Sequence, residues 1–488
     1  MYDLVIRGAQ IADGLGSPLM LGDVAIEGKY ITEIGHITGE SRRTIEADGL
    51  VLSPGIVDVH THYDAQLTWD CTATPSPSLG VTSIVVGNCG FSIAPCPVAH
   101  RDLIVRNLAE VEGMSLAALR SGTNWEFETF SEYLALLKRK GVTPNVAAFI
   151  GHSAVRTSVM GEEASERPAS ENEIAEMRQL VSAGMDAGAI GFSSSTSINH
   201  FGDGGVPMPS RLANEEELRV LTSVLGEKQR GVFQLTVGPS VSSDFLESIA
   251  EQNNCAVFQT AALFNDTFPD RAPKMVRDSA GAQARGNAMW AQVSCQPLSM
   301  EFDLMTAFPM QSLDSWHALI DLDKKSFKRK IKDQSFRASF RNDLEVPKEG
   351  KLFYGDWSKV EVAMVGQKLE QSLEGMTIEQ ISKNQEKDPV DVFETTWGKK
   401  VSAMSRGIPF YKVMFLDDTT KLKMAGEETG ATALDAAISL HGVNIRAQEK
   451  MAVWIENNMP KEFIEQSNKE LAAINLAYDK IKEIRAKS

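Results

Sequence analysis

Two histidines separated by one residue, His60 and His62, close an apolar run in the stretch GIVDVHTHYDAQ. Ile56, Val57 and Val59 read as a buried strand, with Pro54 and Gly55 marking its start. Residues i and i+2 of a strand share a face. Both imidazoles therefore leave the strand end together, within reach of one metal ion. Imidazole suits zinc and similar divalent metals. A pair of polar residues at a strand end is the plainer reading of the same spacing. Asp58 lies on the same face but deeper. Asp64 follows the pair, either as an acceptor that orients the histidines from behind or as a loop or helix cap.

Cys89 comes next, in GVTSIVVGNCGF. Val81 through Val86 read as a second buried strand, and Asn88-Cys89-Gly90 as a tight turn directly after it. A thiolate there can join a metal held by the two histidines. The alternative is a small buried apolar residue, a common fate of free cysteine. Further candidates sit at later strand ends. His152 ends NVAAFIGHS, and Ser193, Ser194 and Ser195 end AIGFSSS. Ser194 and Ser195 are read as substrate hydrogen-bonding groups, or as plain capping of a strand end. No GxSxG elbow accompanies them, so a Ser–His–Asp triad fits poorly. His36, His100, His200, His317 and His441 fall in loops or helices and read as structural or solvated. Of these, His200 in SINHFGDGG is the one in a loop that borders the expected pocket.

The elements that must carry these residues follow from periodicity. Residues 1–52 hold short alternating strands, DLVIRGAQIAD, DVAIEGKYITEIG and RRTIEADGLVL, punctuated at Gly14, Gly16 and Gly28. They predict a small antiparallel sheet, a domain of its own. From about 53 to 305 strands and helices alternate. The strands are GIVDVHTH, VTSIVVGN, NVAAFIGHS, AIGFSSS, GVFQLTVG, CAVFQTAAL and AMWAQVSC, with helices such as 171–187 and 214–228 between them. Such alternation predicts a parallel sheet covered by helices. Seven strands with polar C-terminal ends favour a barrel, whose active site lies at that face. From 306 to 400 the pattern turns helical and charged. The basic run from Asp323 to Asp343 reads as a solvated helix face, or less simply as an anion-binding surface.

Composition sets bounds. The chain has 488 residues, is 43% hydrophobic and 23% charged, and carries a net charge of −16. The negative charge argues against nucleic acid and anionic membranes as partners. Five cysteines, Cys71, Cys89, Cys96, Cys255 and Cys295, are odd in number and unevenly spaced. They read as reduced thiols of a cytoplasmic protein rather than a disulfide framework. No signal peptide and no membrane-spanning run is expected.

PGIVDVHTHYDAQ followed by GVTSIVVGNCGF resembles the N-acyl-D-amino-acid deacylase (D-aminoacylase) branch of the amidohydrolase superfamily. The similarity continues through GHSAVRTSVMG, AGAIGFSSSTS and PMPSRLANEEEL, and covers roughly residues 1–395. The resemblance implies a (β/α)8 TIM-like barrel with a small β-sandwich-type sheet; with the pattern above, the barrel is expected over 53–418, with a helical insertion at about 306–400. It implies metal-assisted hydrolysis of an amide, with Zn2+ as one or two ions, or another divalent metal, on His60, His62 and Cys89. His152 matches a GH motif that lines the pocket, touching metal or substrate.

The chain also departs from that pattern. The resemblance implies further histidine ligands at the ends of strands five and six. Those places here read Gln234-Leu235-Thr236 and Gln259-Thr260-Ala261. Gln234 and Thr236 are read as substrate-binding groups instead. The family's general base is an Asp of an SDGGAH-like motif on strand eight, and this chain has no such motif. The late strand candidate is IPFYKVMFLDD, so Asp417 and Asp418 are the candidates for the base. Residues 419–488 read mostly as helix, in place of strands returning to the sandwich. Within them 460–487 predicts one amphipathic helix, with Pro460 in its first turn and an apolar stripe of Leu471, Ile474, Tyr478, Ile481 and Ile484. That stripe packs on the barrel or on a second copy in a homo-oligomer.

The expected activity is hydrolysis of a non-peptide C–N bond in a small-molecule amide, an N-acyl amino acid or a cyclic amide. The competing expectation is a barrel that has lost turnover and binds a ligand or partner.

Overall fold

A computed structural model describes residues 1–404, apart from 15–16, 112–115, 264–267, 294–298, 303, 306, 321, 349, 366–370 and 396–398. Cys295, Asp417, Asp418, His441, the late strand candidate, the helical segment 419–488 and the helix expected at 460–487 lie outside the described residues.

The first five strands are β1 (Leu4–Ile11), β2 (Met20–Glu27), β3 (Tyr30–Gly35), β4 (Thr44–Glu46) and β5 (Val51–Leu52). They make one sheet in the order β3-β2-β1-β4, with β5 also on β1. The sheet is mixed, where the sequence predicted an antiparallel one. β2 runs antiparallel to β1 and β3, but β4 and β5 pair parallel to β1. The chain has to cross back over between β3 and β4, and that return reverses the pairing sense.

Seven further strands are β6 (Ile56–Asp58), β7 (Val81–Val86), β8 (Asn145–Gly151), β9 (Gly191–Ser195), β10 (Val232–Thr236), β11 (Ala256–Thr260) and β12 (Met289–Ala291). Each pairs in parallel with the next, in chain order. Helices cross between them, and their ends are written in the sequence. The helix Glu171–Ala187 starts at a capping box of Ser170 with Glu173 and stops at left-handed Gly188. Asn214 caps Glu215–Lys228 by accepting from Glu217 N at 2.8 Å.

Strand alternation divides the side chains into two cores. Val85, Ala147, Phe149, Val232 and Phe258, with Trp290, pack together inside the curl of the sheet. Ile84, Val86, Ala148, Ile150, Phe192, Phe233, Leu235 and Val257 point the other way, into the helices. The sheet curls far enough to bring its two ends together: His60, just past β6, has Nδ1 3.0 Å from Oε1 of Gln292, just past β12. A curled parallel sheet wrapped in helices is the TIM-like arrangement.

The last described strands are β13 (Ser299–Phe302), β14 (Glu361–Val365) and β15 (Lys399–Met404), an antiparallel sheet in the order β13-β15-β14. The sequence predicted helix alone over 306–400. The helices are present, but this sheet ties the start of the segment to its end. The basic run forms two helices, Lys324–Lys330 and Gln334–Glu345, divided where Asp333 caps the second. Phe327, Phe336 and Phe340 bury themselves around Trp316. On the other side Arg341 pairs with Asp388 and Asp391 at 3.0 and 2.9 Å.

Candidate metal centre

The chain leaves β6 at Asp58, whose carboxylate accepts the His60 N–H at 3.3 Å. Between the histidines, Thr61 donates to Val85 O from both its backbone nitrogen (3.0 Å) and its hydroxyl (2.7 Å). Asn88 then donates from Nδ2 to Thr61 O at 3.2 Å and Val85 O at 2.9 Å. Asp64 accepts the Gly87 N–H at 3.0 Å. These bonds pin the His-Thr-His segment to the turn that carries Cys89. The turn itself is left-handed: Gly87, Cys89 and Gly90 have φ of 77°, 58° and 77°. A Cβ on Gly87 would stand 2.3 Å from Phe149 O, so only glycine lets β7 turn so close to β8.

His60 Nε2 comes within 3.1 Å of Cys89 Sγ. One ligand atom from each of His60, His62 and Cys89 lies within 4.8 Å of the others. Two ligands of one tetrahedral zinc stand roughly 3.3–3.8 Å apart, given Zn–N of about 2.0–2.1 Å and Zn–S of about 2.3 Å. His62 Nδ1 is buried and has no hydrogen-bond partner among the described residues. Two nitrogens and a sulfur so spaced, with a buried His62 nitrogen left unpartnered among the described residues, fit a zinc-type ion. Burial pushes the Cys89 thiol up, but the His60 charge and hydrogen bond, with help from His62, bring it well below its ordinary range. Burial lowers His60, and Cys89 more than reverses that.

Behind these three residues runs a closed relay of polar side chains. The Cys89 backbone N–H donates to Gln234 Oε1 at 2.8 Å, and Gln234 Nε2 donates to Thr260 Oγ1 at 2.7 Å. Thr260 donates to Gln292 Oε1, which also faces His60 Nδ1. Gln234 therefore supports the cysteine turn rather than facing open solvent. Thr236, two residues on, points the same way, and its Oγ1 is buried without a partner among the described residues. Thr260 and Gln292 were not singled out from the sequence. Their inward parity with Phe258 and Trp290, at the C-terminal ends of β11 and β12, was a usable signal.

Two expected site residues point elsewhere. His152 begins the helix His152–Met160, and both its ring nitrogens are engaged: Nδ1 with Ser194 Oγ and Nε2 with Glu217 Oε1, each at 2.8 Å. No lone pair is left for a metal, and the residue is buried between sheet and helices. Ser194 has outward parity, and its hydroxyl is engaged by His152. Ser193 and Ser195 have inward parity. Ser193 holds the cysteine turn through Gly87 O and Gly90 N. Ser195 Oγ is 2.7 Å from His200 Nδ1. His200 packs against Phe91 at 4.9 Å between ring centroids, and burial brings its pKa down to about 4. Asp64 makes no hydrogen bond to His60 or His62. It ties Gly87 instead, and burial pushes its carboxyl up to about 7. Cys71, Cys96 and Cys255 are free thiols. No described helix is long and apolar enough to cross a membrane.

Residues 43–256 match the amidohydrolase family. The D-aminoacylase of Alcaligenes xylosoxydans xylosoxydans is 36% identical over 194 residues, which are 40% of this chain and 37% of that protein. The chain thus spans little more than a third of that curated relative. A crystal structure of D-aminoacylase superposes with a TM-score of 0.56 at 22% identity, covering 85% of this chain and 74% of the other. The N-acyl-D-glutamate deacylase of Bordetella bronchiseptica, solved with zinc and a phosphonate mimic of the tetrahedral intermediate, gives 0.52 at 19% identity over 82% and 71%. The resemblance read from the motifs is borne out, and the fold likeness extends well beyond the matched segment.

Proposed function

We propose that this chain, an amidohydrolase across residues 43–256, is a metal-dependent hydrolase that cleaves the amide C–N bond of an N-acyl amino acid. The observation that carries the reading is the convergence of His60, His62 and Cys89 at the C-terminal mouth of a parallel barrel. These three residues would hold the ion, zinc being the metal their donor set suits. When bound, the ion supplies Lewis acidity to the scissile carbonyl and lowers the pKa of water.

The remaining work belongs to side chains. Thr236 offers an unpartnered hydroxyl at the mouth to a polar group of the substrate. Ser195 offers a second, oriented by His200. Hydrolysis needs a group that takes the proton of the attacking water and returns it to the departing amine nitrogen. Asp417 or Asp418, at the end of the expected eighth strand that would close the barrel, is the proposed carrier. The relatives' names make N-acyl-D-amino acids the first substrates to try. The free thiols suit a reducing cytoplasm.

The test is hydrolysis of N-acetyl-D- and N-acetyl-L-amino acids by zinc-supplemented protein, beside a His60→Ala/His62→Ala variant. Activity in the parent and none in the variant is expected. Hydrolysis that survives the double substitution defeats the metal mechanism. A parent that binds zinc but turns over neither these amides nor cyclic amides is a binding protein instead.

A further inference from the structure

We propose that Gln292 is the positioning residue of this metal centre: its side-chain oxygen, set by a relay that starts at the Cys89 backbone, keeps the proton of His60 on Nδ1 and leaves Nε2 for the ion. The inference rests on the metal-centre reading above.

The direction of the relay follows from what each atom can do. A backbone N–H can only donate, so the Gln234 atom 2.8 Å from Cys89 N is its oxygen. The Gln234 nitrogen is then the atom 2.7 Å from Thr260 Oγ1, and it donates. The Thr260 hydroxyl accepts there and donates its single proton to Gln292 Oε1. That oxygen has only lone pairs, so His60 Nδ1, 3.0 Å away, must carry a hydrogen. The opposite ring atom, Nε2, faces Cys89 Sγ at 3.1 Å. One chain of bonds therefore holds both the sulfur ligand's backbone and the nitrogen ligand's ring.

Gln292 is itself fixed. Its backbone N–H donates to Gln259 O at 2.8 Å, and its carbonyl accepts from Ala262 N at 2.9 Å. Its Nε2 is buried without a partner among the described residues. Only the oxygen of this amide acts on the centre, so a carboxylate in its place should serve as well. The relay also fills the inward positions at the ends of β10 and β11, Gln234 and Thr260, with groups already bonded to one another.

The test compares Gln292→Met, which keeps length and removes the acceptor, with Gln292→Glu, which keeps the acceptor and drops the idle nitrogen. Zinc affinity of the full chain is read by competition with a chelator at fixed pH. Partners behind a ligating histidine are worth about 10–100-fold in metal affinity, and a loss of that size is expected for Gln292→Met. Gln292→Glu should bind at least as tightly as the parent. Equal binding by Gln292→Met and the parent overturns the proposal, and so does a Gln292→Glu variant as weak as Gln292→Met. Should Gln292→Met fail to fold, nitrogen NMR of the zinc-loaded parent decides, with His60 assigned by its loss in His60→Ala. A protonated Nδ1 is expected, and an unprotonated one overturns the relay. A parent that binds no zinc defeats both this inference and the function it rests on. Binding abolished by His60→Ala/His62→Ala yet untouched by Gln292→Met defeats the relay alone.

Discussion

Glu217 sits between His152 and Arg156, with all three side chains out of reach of water. Its Oε1 is 2.8 Å from His152 Nε2, and Arg156 Nη1 donates to both carboxylate oxygens at 2.5 and 2.6 Å. Arg156 also donates to the carbonyls of Ala164 and Arg167 at 3.4 and 2.9 Å. With Ser194 on the other nitrogen of His152, the cluster bolts β9 to two helices of the outer layer. Its role is to hold the barrel wall from behind the site.

Removing Glu217 leaves a buried guanidinium without its counter-charge. Glu217→Ala should therefore lose about 3–5 kcal/mol of stability, the usual cost of breaking a buried pair from one side. Urea unfolding checks this. Zinc bound per folded molecule should not change, since no atom of the cluster touches a proposed ligand. A loss below about 1 kcal/mol would mean that Arg156 finds other partners.

Acid should unlock the same cluster. Burial lowers the pKa of His152 against the pull of Glu217. Burial raises Glu217, but His152 and Arg156 bring it below its ordinary value. Both folded-state values lie beneath the unfolded ones, so the unfolded chain binds more protons as pH falls. Stability from these groups is complete above the unfolded histidine value of about 6.5 and declines below it, first through His152 and then, under about 4.3, through Glu217. Urea midpoints measured from pH 8 to pH 5 should fall more steeply for the parent than for His152→Gln, which removes the titrating ring. Parallel curves would remove the cluster from the acid response.

Cys89 should be visible in the metal's spectrum. Cobalt loaded into the parent is expected to show a thiolate-to-metal band in the near ultraviolet, and Cys89→Ser should abolish it while keeping weaker cobalt binding through His60 and His62. An unchanged band would place the sulfur outside the centre.

The turn that carries Cys89 depends on Gly87. Alanine there meets Phe149 O at 2.3 Å and must hold a φ of 77°. Gly87→Ala should cost at least about 2 kcal/mol, from the left-handed backbone and the clash together. It should also weaken zinc binding more than Glu217→Ala does, because it moves a proposed ligand. A variant with parental stability and affinity would show that the turn relaxes freely.

The sequence by itself determined what depends on neighbours a few residues apart. Apolar runs located the seven described parallel strands, and the alternation between them placed a helix at 171–187. The one-residue spacing of His60 and His62 pointed to a shared site, but both lie past the end of β6, where hydrogen bonds of Thr61, Asn88 and Asp64 rather than strand parity hold the segment. Only the tertiary structure decided which way a strand end faces and what meets it across the sheet. Ser194 and Ser195 are adjacent and alike, yet one binds His152 in the helix layer and the other His200 at the mouth. His152 looked like a strand-end ligand, but it begins a helix, and that change of backbone turns its ring outward. The partnership of His60 with Gln292 spans 232 residues. It exists because the sheet's accumulated twist brings its first and last described strands together, a closure that no local spacing encodes.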